Sequence, residues 1–362
     1  MRSAHRNLDL FLSLGDRLGR GVVFISEETA SRGKDYEWIP SRALRQIAFQ
    51  LLTMWEMTRE ALRARRTDLV FIFEHKPWYA YPLYAVCLLR RQTVFFIVHG
   101  IQQTHGQSPF HRLGLQVLRT IEKHCEVWPI HLEISDQDVQ GVPRFSKSIV
   151  VPLPLPREAP IERERSRQPG APLRIGILGI LRADKPVEPL LDILQACAKA
   201  RPNVQLAFGS PKWQVPVRLQ LALAERGIEY ADTDQPEQYN VFVHSLDIVV
   251  AWFERDSFYF RPSGILNDAI AGGCFVVAPD YPVLSVQMCV PARCGEPCPD
   301  LAGLPQALER AIDQVLHEPD LPLRFDAWRA WRADERVVQT LCSGIQNALA
   351  QGASQVQPGL TK

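Results

Sequence analysis

Residues 261–280 read Arg-Pro-Ser-Gly-Ile-Leu-Asn-Asp-Ala-Ile-Ala-Gly-Gly-Cys-Phe-Val-Val-Ala-Pro-Asp. Ser263-Gly264 is a polar turn opening a short Ala-rich helix. Gly272-Gly273 closes that helix, and an apolar strand starts at Phe275. The first amides of a helix have no partner within it and lie at the positive end of its dipole, so Ser263, Gly264 and Ile265 suit a phosphate group. Arg182 and Lys185 follow a second apolar run, 173–180, as a pair of cations at a strand end. Cations there neutralise charge that grows on an anionic group as a bond to it breaks. Gly209 ends a third apolar run and could bring backbone against the same ligand. His99 ends a fourth, in His-Gly-Ile-Gln-Gln-Thr-His, where an imidazole can bond a hydroxyl or cap the next helix. Plainer readings stand beside these. Ser is a common N-cap, and loop cations are often just solvated.

The elements needed to position these groups form a βα rhythm on both sides of a proline ladder, Val151-Pro-Leu-Pro-Leu-Pro156. Before it, strands are expected at 21–25, 69–73 and 93–98, with helices over 42–65, 79–90 and 110–124. After it, strands are expected at 173–180, 204–208, 227–230, 247–251 and 275–278. The intervening helices run over 187–200, 217–226 and 235–245. Near-continuous apolar strands joined by helices indicate parallel sheets covered on both faces. Each proline fixes φ, and residues 157–172 are charged with little to bury, so 151–171 reads as a linker. The domains are then 1–150, 172–325, an amphipathic helix over 326–350, and a frayed tail over 351–362. The first domain opens with a helix-like stretch, Leu8 to Leu18, where a strand and a Gly-rich turn are usual. It is either truncated or a reduced Rossmann domain.

The 362 residues allow two domains with substantial cores, and a net charge of +1 gives no pull toward nucleic acid. Residues 1–150 hold 20 basic against 15 acidic side chains, compatible with an anionic membrane surface or an acidic glycan. Met1 to Arg20 has no sustained apolar core, and no run approaches the roughly 20 apolar residues a membrane span needs, so a cytoplasmic protein is expected. Cys289, Cys294 and Cys298 fall in a Pro/Gly-rich stretch without a CxxC pair, which reads as a variable loop with free thiols. Asp136-Gln-Asp138 has the letters of a metal motif but reads as a loop. No catalytic metal is expected.

Over residues 170–290, and above all in 261–280, the chain resembles glycosyltransferase family 4. That family has the GT-B fold, two Rossmann-like domains facing across a cleft. The resemblance implies a retaining transfer of a hexosyl group from a nucleotide sugar, which is a substrate and not a cofactor. It implies a glycan or lipid-linked acceptor and a place in surface polysaccharide or glycoconjugate synthesis. Arg182, Lys185 and the Ser263–Ile265 amides would hold the diphosphate. Asp268 matches the later member of an acidic pair eight positions apart and would hold the ribose, and His99 would serve the acceptor side. Two positions depart from the pattern. Phe260 stands at the earlier acidic position, and Ile180 stands where an Arg usually follows the glycine. A catalytically silent, glycosyltransferase-like binding subunit is the alternative. The 230–240 stretch, with Tyr239, resembles the loop that flanks the nucleobase, and Glu254 is a carboxylate that could replace the one missing at 260.

Overall fold

The computed structural model describes residues 14, 17–26, 41–73, 80–98, 109–140, 144–156, 171–179, 181 and 186–355. The chain divides into two compact units, one of Met1–Pro152 with Asp334–Lys362, the other of Leu153–Ala333.

In the first unit, β1 (Val22–Ser26) leads to α1 (Arg42–Arg63), β2 (Leu69–Phe73), α2 (Ala80–Leu89) and β3 (Val94–Val98). Then come α3 (Pro109–His124), β4 (Val127–Leu132) and β5 (Ile149–Val151). All pairings are parallel and the strand order follows the chain, β1-β2-β3-β4-β5. Every residue of β2, β3 and β4 is buried, as expected for strands with helices on both faces. β4 breaks the sequence pattern because it contains Pro129. The residue is tolerated because β5 pairs only from Ile130 onward, so one flank of β4 is open there. The expected helix at 8–18 lies largely outside the described residues, as does any strand before it.

Asp136-Gln-Asp138 is a single 3-10 turn. Asp136 is wholly buried. Its Oδ2 accepts the Phe145 amide at 2.8 Å, and its Oδ1 lies 3.6 Å from Nε2 of His131. Burial pushes His131 down to about 3, so its ring is neutral. The Asp136 carboxylate faces inward and holds the turn, while Asp138 is exposed.

In the second unit, β6 (Leu173–Leu178), α4 (Val187–Ala200), β7 (Val204–Ser210), α5 (Val217–Glu225), β8 (Glu229–Asp232) and α6 (Pro236–Ser245) come first. They are followed by β9 (Ile248–Val250), one turn α7 (Arg255–Phe258), α8 (Gly264–Ala271) and β10 (Phe275–Pro279). Then come α9 (Pro282–Cys289), β11 (Gly295–Cys298), α10 (Leu304–His317) and α11 (Leu321–Arg332). The parallel sheet has the order β11-β10-β9-β6-β7-β8. The chain moves outward from β6 to β8, then returns to the other side of β6 and moves outward again. That reversal between β6 and β9 is a topological switch point, where loops leaving two adjacent strands diverge and open a crevice.

Two expectations need correction here. The stretch holding Cys289, Cys294 and Cys298 is not a variable loop. Cys289 ends α9, Cys294 and Cys298 are fully buried, and burial raises these two thiols to about 12 and 11. Pro297 is at home because β11 is an edge strand. The helix expected over 326–350 is two helices, α11 and α12 (Asp334–Gln355), broken at an extended Ala333. Its single apolar stripe serves two cores: Trp328 is buried in the second unit, Leu341 and Ile345 in the first. Within the first unit, Gly344 of α12 packs so closely on β5 that a Cβ would meet Ile149 at 2.6 Å. The described start of the expected linker, the proline ladder, makes defined contacts. Val151 ends β5, the Pro154 carbonyl accepts from Asn267, and the Leu155 amide donates to the Arg332 carbonyl.

Candidate functional site

The loop after β9 reaches α8 through a wall of aromatic residues. Trp252, Phe253, Phe258 and Phe260 are all buried, and the rings of Phe253 and Phe258 stack with centroids 4.1 Å apart. The Tyr281 hydroxyl donates to the Phe253 carbonyl at 3.0 Å. Phe260 is therefore a packing residue and brings no carboxylate. Glu254 is exposed and caps α7 through its carbonyl, which accepts from Ser257 and Phe258.

Ser263 is the N-cap of α8, with extended φ/ψ of −110°/123° and its Oγ accepting the Leu266 amide at 3.4 Å. It is 2% exposed. Its amide donates to Oε1 of Gln287 at 3.0 Å, and its carbonyl accepts from Nε2 of Gln287 at 2.8 Å. The polar atoms of Ser263 thus serve mainly the protein. Gly264 and Ile265 differ. Their amides are the orphan donors of the first turn, Gly264 is exposed, and a Cβ placed on it would meet nothing within 4 Å. The result is a pair of backbone donors at a dipole's positive end, on a turn whose first residue is exposed.

One turn further on, Asp268 shares the helix face of Gly264. Its Oδ2 accepts from the Tyr239 hydroxyl of α6 at 2.9 Å, which holds the carboxylate in one rotamer. Gly209 has a packing reason to be glycine: a Cβ there would lie 2.3 Å from the Phe242 ring. Its carbonyl accepts the amide of Gly179, whose φ of +109° ends β6 in a conformation suited to glycine. Beside it, the hydroxyl of Ser210 is fully buried at the end of β7 and has no hydrogen-bond partner among the described residues. Leu181 is held by its amide donating to Oε1 of Gln214 at 2.9 Å.

The structure therefore places Gly264 and Asp268 one turn apart on one face of α8, with the Ile265 side chain turned to the core. Gly209 lies under Phe242 in β7. Arg182 and Lys185 lie outside the described residues, in the segment bracketed by Leu181 and Pro186 after β6. His99 also lies outside them, just past β3. The two loops carrying the expected diphosphate ligands leave the two strands that flank the switch point. Among the described residues, no group of three or more His, Cys, Asp or Glu could hold a metal ion.

Sequence patterns missed the support of α8. Gln287 is fully buried on α9, at helical spacing with the core residues Val283, Leu284 and Met288. A lone amide on an otherwise apolar helical face was the only local signal. Its own carbonyl accepts Nε1 of Trp328 at 2.8 Å and Nη2 of Arg332 at 3.3 Å. Arg332 also donates to the Val290 carbonyl and lies 4.0 Å from the Trp328 ring, so a buried cation caps the C-terminus of α9. Asn267 is spent on Pro154, to which its Nδ2 donates at 2.8 Å.

No protein-family model matches the chain, and no curated protein matches it. Solved structures do resemble it. A UDP-forming alpha,alpha-trehalose-phosphate synthase from Burkholderia xenovorans aligns with TM-score 0.59 and 12% identity, over 85% of this chain and 80% of that one. The trehalose-6-phosphate synthase OtsA aligns with TM-score 0.57 and 10% identity, over 98% and 95%. Sucrose-phosphate synthase from Thermosynechococcus elongatus aligns with TM-score 0.57 and 15% identity, over 83% and 79%. The fold is thus that of the GT-B glycosyltransferases, two Rossmann-like domains each built on a parallel sheet.

Proposed function

We propose that this chain is a GT-B glycosyltransferase that moves a hexosyl group from a nucleotide sugar to a glycan or lipid-linked acceptor. The observation that carries this reading is the pair of amides at Gly264 and Ile265 left without a partner by the start of α8, the helix that follows β9, one of the two strands at the switch point of the second sheet. Similarity to a UDP-forming enzyme supports a nucleotide diphosphate as the ligand. In this reading Arg182, Lys185 and those amides hold the pyrophosphate, Asp268 the ribose, and His99 the acceptor side. The donor's C1–O bond breaks, its electrons pass to the β-phosphate, and the acceptor oxygen bonds C1 on the same face. The acceptor proton goes to the leaving phosphate, so no side-chain base and no metal is required. The protein supplies orientation and charge stabilisation. Retention, metal independence and a role in surface polysaccharide or glycoconjugate synthesis belong to this proposal.

The test is binding and turnover with UDP-, GDP- and ADP-sugars. One of them should raise the melting temperature and be hydrolysed slowly, and Lys185→Ala should lose at least tenfold in that rate. Wild-type rates in Lys185→Ala would remove that residue's role. Binding without any turnover would favour the second reading, a silent binding subunit, which the buried Phe260 supports.

We further propose a cytoplasmic enzyme that touches the inner face of the membrane. On α1, Leu44, Ile47, Leu51, Trp55 and Leu62 are all exposed, although Thr53, Met57 and Ala61 are buried. Their spacing forms one apolar stripe, with Arg45, Arg59 and Arg63 along the same helix. An apolar stripe with a Trp and basic neighbours suits the boundary of an anionic bilayer. No helix among the described residues is long and apolar enough to cross a membrane. The protein should sediment with phosphatidylglycerol vesicles and much less with phosphatidylcholine ones, and Trp55→Glu should abolish the difference. Equal recovery of Trp55→Glu and wild type would refute the contact.

A further inference from the structure

We infer that Gln287 is the positioning residue of the anion-binding turn, acting on a donor through Ser263 while touching none itself. This rests on the donor-site reading above. The side-chain amide of Gln287 closes a two-bond ring with the backbone of Ser263, accepting from its N–H at 3.0 Å and donating to its C=O at 2.8 Å. Such reciprocal pairing usually occurs between adjacent strands. Here one side chain supplies both halves, from a residue 24 positions away. Gln287 is fully buried, and its own carbonyl is fixed by Trp328 and Arg332, so the clamp is anchored at both ends.

The consequence is directional. With the amide of Ser263 consumed and its φ/ψ fixed, the next two amides, at 264 and 265, are the ones aimed outward. A diphosphate then meets donors that need no ordering on arrival, and the energy of the charged hydrogen bonds appears as affinity. Without the clamp, the cap is held only by the bonds of Ser263 to Leu266 and Asn267 within its own helix.

Two substitutions separate this role from simple packing. Gln287→Met keeps the shape and loses both bonds. Gln287→Glu keeps the acceptor for the Ser263 amide but, when ionised, sets a carboxylate oxygen against the Ser263 carbonyl. Protonation gives back a donor to that carbonyl and restores the native pattern. Binding is measured by calorimetry with UDP-, GDP- and ADP-glucose between about pH 5.5 and 8.5, where an esterified pyrophosphate does not titrate. The wild type should bind one of them with an affinity that is flat in pH. Gln287→Met should bind at least tenfold more weakly at every pH. Gln287→Glu should be weakened at the alkaline end and recover toward wild type at the acid end. A purely structural Gln287 predicts lower melting temperatures without any acid recovery of affinity. Wild-type binding with unchanged affinity in Gln287→Met, or a flat and weakened Gln287→Glu profile, overturns the inference alone. No binding of any of the three sugars by the wild type overturns the donor-site reading, and this inference with it.

Discussion

Gly264→Glu is expected to bind a nucleotide sugar roughly a hundredfold or more weakly than the wild type, while its melting temperature stays the same or rises. The two halves of this result have opposite physical origins. A Cβ at 264 meets nothing within 4 Å, and the residue is exposed, so the folded protein accommodates the larger side chain. Replacing glycine at a first helical position lowers the entropy of the unfolded chain, and a carboxylate there favours the dipole; together these stabilise by about 0.5–1 kcal/mol. The same carboxylate stands where a pyrophosphate would approach. Two like charges about 4 Å apart, at an effective dielectric near 20, repel by roughly 4 kcal/mol, on the order of a thousandfold in affinity. Gly264→Ala, which adds bulk without charge, should lose far less. Calorimetric titration beside a thermal melt checks both halves. Unchanged affinity in Gly264→Glu would place the anion elsewhere and leave α8 as an ordinary capped helix.

Trp328→Ala is expected to destabilise the second unit by about 3–5 kcal/mol, the range for removing a large buried ring. The indole is fully buried, its Nε1 donates to the Gln287 carbonyl, and its face carries the Arg332 guanidinium at 4.0 Å. Truncation leaves a cavity and removes one of the two donors to that carbonyl. It also strips a buried cation of its aromatic neighbour. For a unit of this size the melting temperature should fall by roughly 8–15 °C. Trp328→Phe, which keeps most of the volume and loses the N–H, should cost only about 1–2 kcal/mol. Urea midpoints for the three proteins test this ordering. A loss under about 1 kcal/mol in Trp328→Ala would show that the α9–α11 contact is peripheral to stability.

The turn at Gly264 and the clamp that holds it were unequally visible in the amino-acid order. The open amides of Gly264 and Ile265 could be anticipated because their cause is local. A Ser-Gly turn before an Ala-rich run starts a helix, and every helix start leaves orphan donors. The clamp on that turn could not, because Gln287 meets Ser263 only after β10 and α9 have packed. Gly209 teaches the same lesson in reverse. A glycine at a strand end invites a ligand reading, but the Phe242 ring occupies the space its side chain would need. Asp268 lies between these cases: its place on the Gly264 face follows from helical spacing, its rotamer from Tyr239 of another helix.

The chain's own order determined the apolar runs of β2, β3, β6 and β10, the βα alternation, and so the parallel, doubly covered sheets. Burial of an apolar run and the stop at a glycine depend on near neighbours, and near neighbours are written in order. Only tertiary structure decided that β9 pairs with β6 and thereby creates the switch point beside α8. It also decided that Trp328 and Leu341, read as one stripe, belong to different cores, and that an amide on α9 holds the turn at Ser263. Such pairings join residues tens of positions apart, and their energy comes from packing complementarity that exists only once the partners have met.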